Sequence, residues 1–185
     1  MEYLSDICPE NRLIKATVYN KIMGPLIILL ILIILNGLLV MSEIALVSAR
    51  KTRLEGLANK GDSKAKVALT LSENPEKFLA TAQIFITLIA ILSGVYAERK
   101  LGPYVEPYVA NIDFFKPYAE SISTVFIVVM VTFLSIIFGE LIPKRLGMLQ
   151  AEKIARLVAA PMNFLSTITL PIVWLLSKIS QLFFK

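Results

Sequence analysis

The chain has no histidine and a single cysteine, Cys8, in 185 residues. Without imidazole, histidine–metal sites and imidazole proton relays are excluded. One thiol excludes an intrachain disulfide framework and most thiolate metal centres. Charge is also scarce: 18% of residues are charged, where soluble domains carry about 25%. Three long stretches hold only two charged side chains, Glu43 and Glu140. The segment Met1 to Lys21 carries three acids and three bases and lacks the positive start of a secretory signal.

The chain is instead rich in apolar residues. They make up 56% of the sequence, and mean hydropathy is +0.71. Because the excess is gathered into long runs, the expected fold class is all-α integral membrane. The formal charge of +5 sits beside those runs, a placement suited to anionic lipid head groups and not to nucleic acid.

The runs predict three transmembrane helices, about 22–47, 78–96 and 122–141, each near the roughly 20 residues a span needs. The segment 48–74 carries helical patterns broken at Gly61-Asp62, with Ser48 and Ser63 as N-caps, and predicts cytoplasmic juxtamembrane helices. Asn74-Pro75 opens the second span. The segment after it holds Pro103, Pro107 and Pro117 and reads as an interfacial turn region. A fourth apolar stretch, within 148–185, contains Pro161 and Pro171 and has basic residues at both ends. It is expected to be a proline-kinked amphipathic helix along the inner leaflet, with a fourth span as the alternative.

Orientation follows from the basic residues. Seven Lys/Arg lie between Ser48 and Lys77, and three between Ala97 and Ser121. The positive-inside rule puts the first loop and the C-terminus in the cytoplasm and the N-terminus outside, in a multi-pass protein of the cell (inner) membrane.

A charge at membrane depth costs roughly 2.5–3.5 kcal/mol on insertion scales, so Glu140 is a functional candidate. Pro143 cannot donate to the carbonyl four residues back, Gly139, which has no side chain to shield it. Ser42 and Asn36 add oxygens on the first span, and Gln83 and Thr87 sit one turn apart on the second. An oxygen-only inventory favours Mg²⁺, Ca²⁺ or Na⁺ over zinc or copper. A structural reading accounts for the same residues equally well. Glu140 and Lys144 are spaced i,i+4 and neutralise each other, and the hydroxyls and amides act as interhelical glue.

Three strings carry a family resemblance: L-N-G-L-L-V-M-S-E-I-A-L-V (Leu35 to Val47), A-Q-I-F-I-T-L-I-A-I-L-S-G (Ala82 to Gly94) and F-G-E-L-I-P-K (Phe138 to Lys144). Together they resemble the membrane domain of the CorC/cyclin-M (CNNM) magnesium-transporter family over nearly the whole chain, 1–185. The resemblance implies a homodimer, three spans per subunit, a juxtamembrane helix belt and non-enzymatic Mg²⁺ efflux driven by Na⁺ entry. It also implies that cytosolic CBS-pair and C-terminal modules, absent from these 185 residues, follow in family proteins. Carried over by position, the metal site uses Ser42, Gly139 and Glu140, with Thr87 or Gln83 assisting, while Glu43, Pro143 and Lys144 have structural or gating roles. The family's second-span asparagine has no counterpart, since Ile86 and Ala90 stand where it is sought. Two other functions compete with Mg²⁺ efflux. One is a membrane anchor and dimerisation platform for sensory modules; the other is transport of Mn²⁺, Co²⁺ or Na⁺.

Overall fold

A computed structural model describes the backbone of residues 9–183 and the side chains of residues 22–179. No strand occurs among the described residues. The elements in order are α1 (Pro9–Ser48), α2 (Lys51–Asn59), α3 (Ser63–Glu73) and α4 (Pro75–Ala110). A 3₁₀ turn (Lys116–Tyr118), α5 (Ala119–Ile136), a π-helical turn (Ile137–Leu141), α6 (Ile142–Leu149) and α7 (Ala151–Phe183) follow.

Four helical segments are long and apolar enough to cross a membrane: Ile22–Ser48, Pro75–Ala110, Lys116–Leu149 and Ala151–Ile179. The fourth is the stretch expected to lie along a leaflet, and by length and composition it passes the same test as the others. Phe184 and Lys185, the end of that stretch, lie outside the described residues.

Several boundaries differ from the sequence expectation. The expected turn region beyond residue 96 is helical as far as Ala110, because α4 continues through Pro103 and Pro107. A proline removes one donor, but the rest of a long helix holds the backbone on course. Neither Ser48 nor Ser63 is an N-cap. Arg50 precedes α2 without a side-chain cap, and Asp62 caps α3, accepting from Lys64 N at 2.9 Å and Ala65 N at 3.1 Å. A carboxylate one residue earlier reaches two free amides, and Ser63 becomes the first helical residue. Pro75 opens α4 as expected; its missing N–H is no loss at a first helical position.

The chain divides into two compact units. One takes the described part of Met1–Leu32 with Leu92–Phe133. Within it Ala97, Ala119, Ser123 and Ile127 are buried, and the Ser123 hydroxyl donates to the Ala119 carbonyl at 2.7 Å. The other unit takes Ile33–Ile91 with Leu134–Lys185. Its core is built on small residues: Ala68 of α3 and Ala82 of α4 pack with Ala151, Ala155 and Ala159 of α7 around Leu46, Leu54, Phe78 and Met162. Alanines four apart form one smooth face of α7, which lets α3 lie close against it. Arg156 pairs with Asp62 at 3.0 Å and Arg53 with Glu152 at 3.6 Å, tying α7 to the cap of α3 and to α2. Thr81 and Thr169, both buried, share a hydroxyl–hydroxyl hydrogen bond of 2.8 Å between α4 and α7.

Candidate functional site

Every site residue named from the sequence falls in the second unit: Ser42 and Glu43 on α1, Gln83 and Thr87 on α4, Gly139 and Glu140 in the π-helical turn, and Pro143 and Lys144 on α6. The turn is a local widening from i→i+4 to i→i+5 bonding; the Ile142 amide bonds the Ile137 carbonyl. Pro143 has no amide proton to offer Gly139 in an α register or Phe138 in a π register. The backbone therefore changes pitch where the proline withdraws a donor.

The Gly139 carbonyl has a side-chain partner. The Asn36 side-chain Nδ2 donates to it at 3.3 Å, bridging α1 and the π-turn. Asn36 is 9% exposed, and its other polar atom, Oδ1, is buried with no hydrogen-bond partner. Close approach is possible because both sides are glycine. A Cβ on Gly139 would stand 3.2 Å from Asn36 Nδ2, and one on Gly37 would stand 2.8 Å from Pro143 Cγ and 3.0 Å from the Phe138 carbonyl oxygen.

Glu140, one residue on, is exposed, and its Oε1 takes the Lys144 Nζ at 3.4 Å across one helical turn. Glu43 is half-buried and lies within electrostatic reach of both Lys144 and Glu140. Ser42 is buried, and its hydroxyl donates to the Leu38 carbonyl at 2.6 Å. It also borders an apolar cavity of about 360 Å³ with Phe85, Pro161 and Met162 among its walls. Gln83 and Thr87 are exposed. Ile86, at the position sought for an asparagine, packs against the apolar core of the unit, and Ala90 is exposed.

The structure thus brings Asn36, Gly37, Gly139 and Pro143 into direct contact and sets the Glu140–Lys144 pair beside them. Among the described residues, no three His, Cys, Asp or Glu side chains come together as a metal-holding group. Asn36 is the contact that a site list drawn from charge alone leaves out. Its signal was in the sequence, since it precedes Glu43 by seven residues and so shares a helix face with it.

Comparison with known proteins bears on what this arrangement is for. A UPF0053 protein of Synechocystis is 42% identical over 151 residues, which cover 82% of this chain and 34% of that protein. A polyamine export protein of Haemophilus influenzae is 36% identical over 160 residues, covering 86% and 37% respectively. A polyamine export protein of Escherichia coli is 29% identical over 163 residues, covering 88% and 36%. The chain spans about a third of the length of these curated relatives. The family model for the cyclin M transmembrane N-terminal domain matches residues 27–185, and the chain belongs to that family.

Proposed function

We propose that this chain is the translocation domain of a cation exporter and that its cargo is an organic polyamine. The observation that carries the substrate class is the Glu140–Lys144 pair. The Lys144 side chain is a butyl-ammonium, chemically half of a diamine, and it rests on the one exposed carboxylate of the layer. A cargo ammonium makes the same N–H···O bonds and replaces Lys144 like for like, at little cost in new desolvation. Relatives named for polyamine export support the same choice.

Mg²⁺ efflux, with Na⁺ entry as its drive, is the second reading. It is favoured by the family and by the oxygen-only donor set of Ser42, Gly139 and Glu140, with Gln83 or Thr87 assisting. Mg²⁺ demands near-octahedral oxygens at about 2.0–2.1 Å. Against this, Gln83 and Thr87 are exposed, and among the described residues no three His, Cys, Asp or Glu side chains gather as a metal-holding group.

The topology we propose has three spans, an external N-terminus, a cytoplasmic C-terminus and α7 along the inner leaflet. It is supported by the basic residues at both ends of α7 and by the packing of α7 on α3. The proposed assembly is a two-fold dimer.

The test is transport in proteoliposomes loaded with radiolabelled spermidine, beside vesicles carrying a Mg²⁺-sensitive dye. Spermidine should cross with the parent chain, and Glu140→Gln should abolish most of that flux. Magnesium flux without spermidine flux would replace the first reading with the second. Flux of neither would leave the domain as an anchor and dimerisation platform.

A further inference from the structure

Asn36 is the one residue of this layer whose chemistry is half used. Its NH₂ end holds the Gly139 carbonyl, while its carbonyl end is buried and unpartnered. Buried polar atoms are nearly always bonded, and an exception calls for a reason such as a binding role. As interhelical glue alone, an asparagine left half unsatisfied is a poor choice, because the unmade bond forfeits what the made one gains. The surroundings add a second peculiarity. The carbonyl that Asn36 caps lies in the π-helical turn beside Pro143, which has no amide proton to offer, and Gly37 and Gly139 clear the space between the two backbones. One end of the Asn36 amide thus holds the Gly139 carbonyl, and the other end, Oδ1, is an acceptor without a donor in the same seam.

We infer that Asn36 is a specificity-determining residue of the cargo site, whose amide turns over to present Oδ1, together with the released Gly139 carbonyl, to a primary ammonium of the cargo. The inference rests on the cation-export reading and names a residue that contacts the cargo. Rotation about the terminal amide torsion crosses no staggered barrier, since that torsion is broad and roughly two-fold. In the arrangement seen here the Asn36 NH₂ makes the bond that a cargo N–H makes after the turn. An ammonium has three donors and no acceptor, so it satisfies two carbonyl-type oxygens and a carboxylate at once. The seam thereby favours an ammonium, whose three donors it satisfies, over Mg²⁺, which demands near-octahedral oxygens at about 2.0–2.1 Å and sheds its waters reluctantly.

The test is cargo-dependent thermal stabilisation of the purified chain in detergent, titrated in parallel with spermidine and with Mg²⁺. The variants are Asn36→Leu, Asn36→Ser and Asn36→Asp. Spermidine should raise the melting midpoint of the parent. Asn36→Leu, and Asn36→Ser should the leucine variant not fold, should melt without cargo close to the parent yet bind spermidine about 10-fold or more weakly, the loss expected for a hydrogen bond to a charged group. Asn36→Asp should narrow the preference for spermidine over Mg²⁺, a readout that a purely structural role would not move. Parental spermidine affinity in both Asn36→Leu and Asn36→Ser would overturn the inference and leave cation export standing. So would an equal loss for spermidine and Mg²⁺ with the preference unmoved in Asn36→Asp. A parent chain that binds neither cation would overturn the export reading and this inference with it.

Discussion

At Gly147 α6 approaches the backbone of α1 itself, which makes replacement of this glycine by alanine a sharp probe of the seam. A Cβ there would lie 2.8 Å from the Met41 carbonyl oxygen and 3.4 Å from the Ala45 amide nitrogen. Both are backbone atoms of a helix, so neither can swing aside and the helices must separate. Overpacking of this kind costs about 1–3 kcal/mol. Alanine recovers about 1 kcal/mol of helix propensity over glycine, leaving a net loss of up to roughly 2 kcal/mol. For a chain of this size that corresponds to a fall of up to about 8 °C in the melting midpoint. Gly56 in α2 is the control, because nothing lies within 4 Å of its added Cβ. Gly56→Ala should gain roughly 0.4–1 kcal/mol and melt slightly higher. The fluorescence of the single tryptophan, Trp174, followed on heating in detergent, reads both variants. If Gly147→Ala melts with or above Gly56→Ala, the close approach of α6 to α1 is wrong.

The Asp62 carboxylate both caps α3 and pairs with Arg156. Asp62→Asn keeps the cap and loses the half-exposed ion pair, at most about 1 kcal/mol. Asp62→Ala loses the cap as well, about 0.5–2 kcal/mol more, so chemical denaturation should rank the alanine variant lowest; equal midpoints would refute the cap. A double-mutant cycle of Thr81→Val and Thr169→Val should give a coupling of about 0.6 kcal/mol, the average for hydrogen bonds between membrane helices. Additive effects would mean that the 2.8 Å contact contributes nothing. Cysteines at the exposed positions Asn59 and Asn111 should be labelled by an impermeant maleimide from opposite sides of the membrane, Asn59 only after the cytoplasmic face is opened. Labelling of both from one side would refute the three-span topology.

The helical class and the long apolar runs could both be read from the sequence, because each depends on composition and spacing along one chain. The second-span helix start at Asn74-Pro75 was likewise local, since a proline dictates the geometry on either side of it. The family was legible in three short strings for the same reason. Other features depended on competition that a linear reading does not contain. The sequence suggested Ser63 as a cap, but Asp62 holds that role through its reach to two amides. The sequence offered a bare Gly139 carbonyl, and folding supplied Asn36 from 103 residues away to occupy it. Sequence also suggested Gln83 or Thr87 as an assisting ligand, whereas the fold leaves both exposed and packs the partly buried Ile86 against the core. Spacing determines which residues share a helix face, but which face meets which neighbour is decided by the packing of glycines and alanines between helices. Only that packing brings Asn36, Gly139 and Pro143 into one seam.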